Sequence, residues 1–196
     1  MLAINEEFYS IQGEGVNVGR PMYFIRLQGC GVGCHFCDTK HSWKKDDAKT
    51  DEADIIRRAV DVGTDWICIT GGEPAEQDLS RLIDLASMEG LFIQLETSGI
   101  KHQDCFDRIR QITVSPKTLF SNVPLDPKMI EVANEIKCVV TQQSDIQHYV
   151  NLAKKSQAVK TFVPMSNSPP LAQMIFDNMP KSWKLQCQEH TVLKLR

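Results

Sequence analysis

The sequence predicts an α/β fold: a partial, open β/α barrel with about six parallel strands. Two observations carry this. Short apolar runs of strand length recur through the 196 residues, and amphipathic stretches of helical period lie between several of them. Strands alternating with helices form parallel βαβ units. About six strands are too few to close an eight-stranded barrel of roughly 250 residues, so the sheet is expected to be truncated relative to one. Residues 1–196 are read as one domain.

The strand-length runs are 22–27, 66–70, 91–95, 111–114, 136–140, 159–163 and 183–185, each rich in β-branched or aromatic residues. Between the first two, Ala53, Ile55, Ile56, Ala59 and Val60 repeat at helical spacing over 51–62, and Gly63 offers a stop. Over 79–88, Leu82, Ile83, Leu85 and Ala86 do the same, with Asp78 as N-cap and Gly90 at the end. Asp126 before Pro127 pairs a cap with a first-turn proline and opens a helix through Asn134. Ser144 is placed as the cap of a helix carrying Ile146, Tyr149, Val150 and Ala153. In parallel α/β folds sites form at the C-terminal ends of strands, so the reactive residues should follow the apolar runs.

Apolar residues are 42% and charged residues 24% of the chain, the balance of an ordinary globular protein. A formal net charge of −3 argues against nucleic acid as a partner. No apolar stretch approaches the ~20 residues that span a bilayer, so no membrane partner is expected. Residues 1–10 read as folded-domain sequence rather than a basic, apolar leader. Seven cysteines, an odd count, then point to a reduced, cytoplasmic setting in which thiols serve metal or catalysis.

The segment Gly29-Cys30-Gly31-Val32-Gly33-Cys34-His35-Phe36-Cys37-Asp38-Thr39 follows the first apolar run directly. Three thiols within a short loop, with three glycines, let backbone curl round one object. A Cys3His zinc site using His35 or His41 is one reading. A cluster that only transfers electrons normally takes four cysteines, and the next cysteine is Cys68, inside an apolar run. Three ligands to an iron–sulfur cluster would leave one iron open. Cys68 and Cys138 read as buried core; Cys105 and Cys187 show no ligand spacing. Thr70-Gly71-Gly72-Glu73-Pro74 ends the second run, where two glycines allow a ligand close to the backbone or simply make a turn.

Three cysteines separated by three and then two residues, Phe36 before the last, and a later Gly-Gly-Glu-Pro resemble the radical S-adenosylmethionine (SAM) superfamily. The further segments Ile11-Gln12-Gly13-Glu14-Gly15, Arg26-Leu27-Gln28-Gly29-Cys30, Cys37-Asp38-Thr39-Lys40-His41-Ser42-Trp43, Glu96-Thr97-Ser98-Gly99 and Val114-Ser115-Pro116-Lys117 are similar to the 7-carboxy-7-deazaguanine synthase family. The likeness runs from about Asn5 to His190. It implies a radical SAM-type barrel, a [4Fe–4S] cluster on Cys30, Cys34 and Cys37, and SAM lined by Phe36, Cys37, Asp38, Gly72, Ser115, Pro116 and Lys117. It implies Mg2+ on Thr39, and pterin contacts from Ile11, Gln12, Gly13, Glu14, Arg26, Thr70 and His190. The implied reaction takes 6-carboxy-5,6,7,8-tetrahydropterin to 7-carboxy-7-deazaguanine through a 5′-deoxyadenosyl radical, ring contraction and loss of ammonia, in queuosine or deazapurine biosynthesis. It also implies an electron donor such as flavodoxin or ferredoxin, and a homodimer. Three departures stand out: a short 46–55 segment, Val163 where relatives often carry glutamine, and a tail without a terminal proline. Two other functions remain in view, a glycyl-radical activase of the same superfamily and a non-catalytic zinc-stabilised binding module.

Overall fold

In a computed structural model, which describes residues 1–44 and 48–195, eight strands form one open sheet. The first two residues of the short 46–55 segment and the terminal Arg196 lie outside the described residues. Strand β1 (Ile4–Ile11) runs antiparallel to β2 (Pro21–Leu27). From β2 the sheet continues in parallel through β3 (Trp66–Thr70), β4 (Phe92–Thr97), β5 (Gln111–Val114), β6 (Glu135–Val140), β7 (Val159–Pro164) and β8 (Lys184–Leu185). The open parallel barrel is therefore as expected, with seven parallel strands and one antiparallel edge in place of about six. The pattern missed β1 because Asn5, Glu6, Glu7 and Ser10 interrupt any apolar run. Its pairing is visible instead in Phe8 stacked on Phe24, ring centroids 5.0 Å apart.

The helices follow their caps. Asp51 accepts from the Ala53 N–H at 2.8 Å and opens α1 (Glu52–Asp61), which buries Ile55, Ile56 and Ala59 and stops near Gly63, φ +77°. Helix α2 (Ser80–Met88) has Leu79 as its N-cap in place of the expected Asp78, which stands one residue earlier and accepts from the Ser80 N–H at 3.0 Å; Gly90, at φ +73°, lies beyond the helix. Asp126 accepts from the Lys128 N–H at 2.9 Å and starts α3 (Pro127–Val132). That helix ends before Asn134, because Asn134 gives its N–H to the Ile112 carbonyl and takes the Ile112 N–H on Oδ1. Helix α4 (Gln143–Leu152) corrects the expected cap: Gln142 is the N-cap, and Ser144 lies inside the first turn. Asp145 Oδ2 accepts from the Thr141 N–H at 2.9 Å and the Gln142 N–H at 3.2 Å, a capping pattern that needs no serine. Helices α5 (Pro169–Asn178) and α6 (Glu189–Val192) complete the chain. No described helix is long and apolar enough to cross a membrane.

Alternation along the strands divides two environments. Ile25, Leu27, Ile67, Ile69, Ile93, Leu95, Ile136 and Cys138 join the helices in the main core. The other face carries Phe24 and Cys68, and then the buried polar residues Gln94, Thr113, Glu135, Lys137 and Thr161. Burying such groups costs free energy unless each finds a partner, so this polar interior marks where the fold is committed to a site.

Candidate active site

The loop after β2 carries the three cysteines. Gly29 and Gly33, at φ +99° and +67°, take backbone conformations that other residues resist. The loop is clasped from behind: the Gly29 N–H donates to the Ser42 carbonyl at 2.7 Å, and the Cys30 N–H to the Trp43 carbonyl at 3.2 Å. Burial pushes the Cys30 and Cys34 thiols above their ordinary range; Lys117 pulls Cys34 the other way.

The turn after β3 meets this loop directly. The Gly72 N–H donates to the Leu27 carbonyl at 3.0 Å and the Glu73 N–H to the Gly29 carbonyl at 2.8 Å. The buried Glu73 carboxylate accepts from the Ala75 N–H at 2.9 Å, the Ser98 N–H at 2.8 Å and the Thr97 hydroxyl. One carboxylate thus fastens the ends of β3 and β4.

These strand ends surround one cavity of about 350 Å³. Cys30, Cys34, Phe36, Cys37, Asp38, Thr39, Gly72, Ser115 and Lys117 line it, as do Ile11, Gln12, Gly13, Glu14, Arg26, Thr70 and His190. Of the residues singled out in the sequence, Pro116 does not line it; its carbonyl accepts from the Tyr149 hydroxyl at 3.4 Å. Arg26 points into the cavity, donates from Nε to Glu6 at 2.7 Å and lies over Phe8. Val163 lines the wall as well, beside Met165 and Ser166, the latter at φ +55°.

The segment after β1 builds another wall. Gln12 is buried and donates from Nε2 to Glu96 at 3.2 Å. The Val16 N–H donates to Glu135 at 3.0 Å and the Gly15 N–H to the Gln186 side chain at 2.8 Å. The Glu189 N–H reaches the Gly13 carbonyl at 2.9 Å, and a Cβ on Gly13 would collide with the His190 ring. The C-terminal segment therefore packs onto the Gln12–Glu14 stretch and delivers His190 to the cavity.

Lys137 is the centre of charge there. Its Nζ lies 2.8 Å from both Glu14 Oε2 and Glu96 Oε2. Burial opposes its charge, but the two carboxylates outweigh it and hold Lys137 protonated well above the ordinary lysine range. Burial raises Glu14 while Lys137 and Gln188 more than offset it, so Glu14 lies below its usual value. Burial keeps Glu96 above its own. Burial also lowers Lys117, whose Nζ donates to the Ser115 hydroxyl. Sequence reasoning missed Glu96, Lys137, Gln188 and the Glu73 anchor as site residues. Lys137 did leave a signal, a cation inside the apolar run 136–140.

The three thiols fit an iron–sulfur cluster better than a zinc ion. Cys30, Cys34 and Cys37 line the cavity and, among the described residues, no fourth cysteine does, so a cluster held on them would keep one iron without a protein thiolate. Neither histidine completes a zinc set: the His35 ring packs edge-on against Phe36 and Phe120, and His41 Nε2 lies 3.8 Å from Glu6.

Comparison with known proteins agrees. The family model described as the radical SAM superfamily matches residues 24–123. The 7-carboxy-7-deazaguanine synthase of Escherichia coli strain K12 is 34% identical, over 98% of each chain. That of Flavobacterium psychrophilum is 33% identical over 100% of this chain and 93% of the relative. The crystal structure of QueE from Escherichia coli superposes with a TM-score of 0.85 and 34% identity, covering 96% of this chain and 94% of that one. By sequence, fold and the residues round its cavity, the chain belongs to the 7-carboxy-7-deazaguanine synthase family of radical SAM enzymes.

Proposed function

We propose that this cavity converts 6-carboxy-5,6,7,8-tetrahydropterin to 7-carboxy-7-deazaguanine with loss of ammonia. The observation that carries this is the meeting in one cavity of the three thiols, the Gly72 turn, Arg26 and the Gln12–Glu14 segment. Cys30, Cys34 and Cys37 hold the [4Fe–4S] cluster. When bound, the cluster and SAM supply a one-electron reductive cleavage and a carbon radical that abstracts hydrogen.

The chain's own residues bind and orient. Gly72 lines the cavity and offers its backbone to the amino group of SAM, and Phe36, Asp38, Ser115 and Lys117 line the rest of that ligand. Arg26 offers a planar fork to the pterin carboxylate. Gln12, Glu14 and the Glu96–Lys137 pair present fixed acceptors and donors to the pterin ring, and His190 closes over Gly13 beside them. Thr39 and the substrate carboxylate take Mg2+, an ion that prefers oxygen and often needs few protein ligands. A flavodoxin or ferredoxin delivers the electron, and the chain works as a homodimer.

The test is anaerobic reconstitution with iron and sulfide, then incubation with SAM, reductant and the free pterin. 5′-Deoxyadenosine and the deazaguanine product are expected without any protein partner. Cluster-loaded enzyme that leaves the pterin unchanged would overturn the substrate assignment and favour an activase. Zinc in place of iron would overturn the cluster.

A further inference from the structure

Trp43 touches two of the three cluster cysteines. Its carbonyl accepts from the Cys30 N–H at 3.2 Å, and its indole Nε1–H donates to Cys37 Sγ at 3.3 Å. The residues between are folded to allow this: the Ser42 N–H and hydroxyl donate to the Thr39 carbonyl at 2.9 and 2.8 Å, closing the 3-10 turn Lys40–Ser42. The same Trp43 lines the cavity, whereas Trp66 and Trp183, the other two tryptophans, do not. Thr39 Oγ1 also lies 3.4 Å from Cys37 Sγ.

Resting on the reading that Cys37 ligates the cluster, we propose that Trp43 is a positioning residue that sets the cluster's reduction potential through its N–H···S bond to Cys37. Hydrogen bonds to ligating sulfur are among the factors that set such potentials. A donor aimed at a thiolate stabilises negative charge, and the reduced cluster carries one more electron than the oxidised one. The bond therefore favours reduction and raises the potential. That eases electron entry from a donor protein, while leaving the cluster a weaker reductant toward SAM. The Cys30 contact is made by backbone and survives replacement of the side chain, so the two contributions separate.

The experiment compares anaerobically reconstituted wild type with Trp43→Phe, which keeps a ring and loses the donor. Iron and sulfide content come first, and a wild type without a cluster would defeat the underlying reading rather than this inference. With both proteins loaded, redox titration followed by electron paramagnetic resonance should show a lower midpoint potential in Trp43→Phe. An unchanged potential would overturn the proposal. Wild type labelled with 15N in the indole rings supplies a second readout that needs no variant. Double resonance on its reduced cluster should detect one coupled indole nitrogen, and absence of that coupling would also overturn it.

Discussion

Gly72 sits against Gly29 so closely that a Cβ on Gly72 would collide with the Gly29 carbonyl oxygen. The contact joins the turn after β3 to the cysteine loop after β2, with Glu73 N–H bonded to the same carbonyl at 2.8 Å. The obstacle is backbone, which cannot rotate away as a side chain can. Gly72→Ala should therefore force the two loops apart and lower stability by about 1–3 kcal/mol, the usual cost of overpacking. Denaturant unfolding reads the stability, and equilibrium binding of SAM to the reconstituted protein should weaken at least about tenfold, about 1.4 kcal/mol. Unchanged SAM affinity would show that this backbone is not its shelf.

Lys137 is held between Glu14 and Glu96 in a polar interior. Lys137→Met keeps most of the volume but leaves two carboxylates buried without their cation. Breaking a buried pair in this way costs roughly 3–5 kcal/mol. Urea unfolding of Lys137→Met should show a loss of that order, and adding Glu96→Gln should recover part of it. Lack of recovery would mean that the lysine acts through its packing rather than its charge.

Much of the scaffold was legible in the sequence because its signals are local. Asp51 and Asp126 cap their helices from within two residues, Asp78 reaches the Ser80 N–H from one place before the cap of α2, and Gly63 and Gly90 stop the helices by their own backbone preference. Strand β1 was hidden because both of its faces carry polar residues, and the α4 cap because Asp145 bonds backward instead of Ser144 forward. The thiol and glycine loops were readable as motifs at strand ends. The Glu14–Lys137–Glu96 triad was not, since 123 positions separate Glu14 from Lys137 and only the folded sheet brings them together. The Glu73 anchor escaped for the same reason: its partners are Thr97, which ends the next strand, and Ser98, which follows it.

Glu14 and Glu96 should answer acid in opposite directions. Glu14 lies below its ordinary value near 4.5 when folded. The stability it contributes is thus present above that value and lost as pH falls through the folded one. Glu96 lies above its ordinary value when folded, so its contribution is present below the ordinary value and lost as pH rises through the folded one. Glu14→Gln should flatten the fall in stability below about pH 4.5, whereas Glu96→Gln should remove a gain in stability that builds as pH falls toward about 4.5 from above. Chemical unfolding at a series of acid pH values gives both slopes. Parallel curves for the two variants would refute the division of charge between them.

Arg26 faces the cavity while its Nε is engaged by Glu6 at 2.7 Å and one of its terminal nitrogens donates to the Gly71 carbonyl at 3.3 Å. Glu6 thus holds the side chain in place and leaves N–H groups of the guanidinium for a carboxylate. Arg26→Lys keeps the charge but gives up the planar fork, so one ammonium must serve Glu6 and the substrate at once. A charge-assisted hydrogen bond is worth about 1.5–3 kcal/mol, so KM for the carboxypterin should rise roughly 10- to 100-fold. The bond is made to the carboxylate in ground and transition states alike, so kcat should change much less than KM. Steady-state kinetics on fully loaded enzyme measures the split. An unchanged KM would reduce Arg26 to the partner of Glu6, and an equal fall in kcat and kcat/KM would place its contact in the transition state alone.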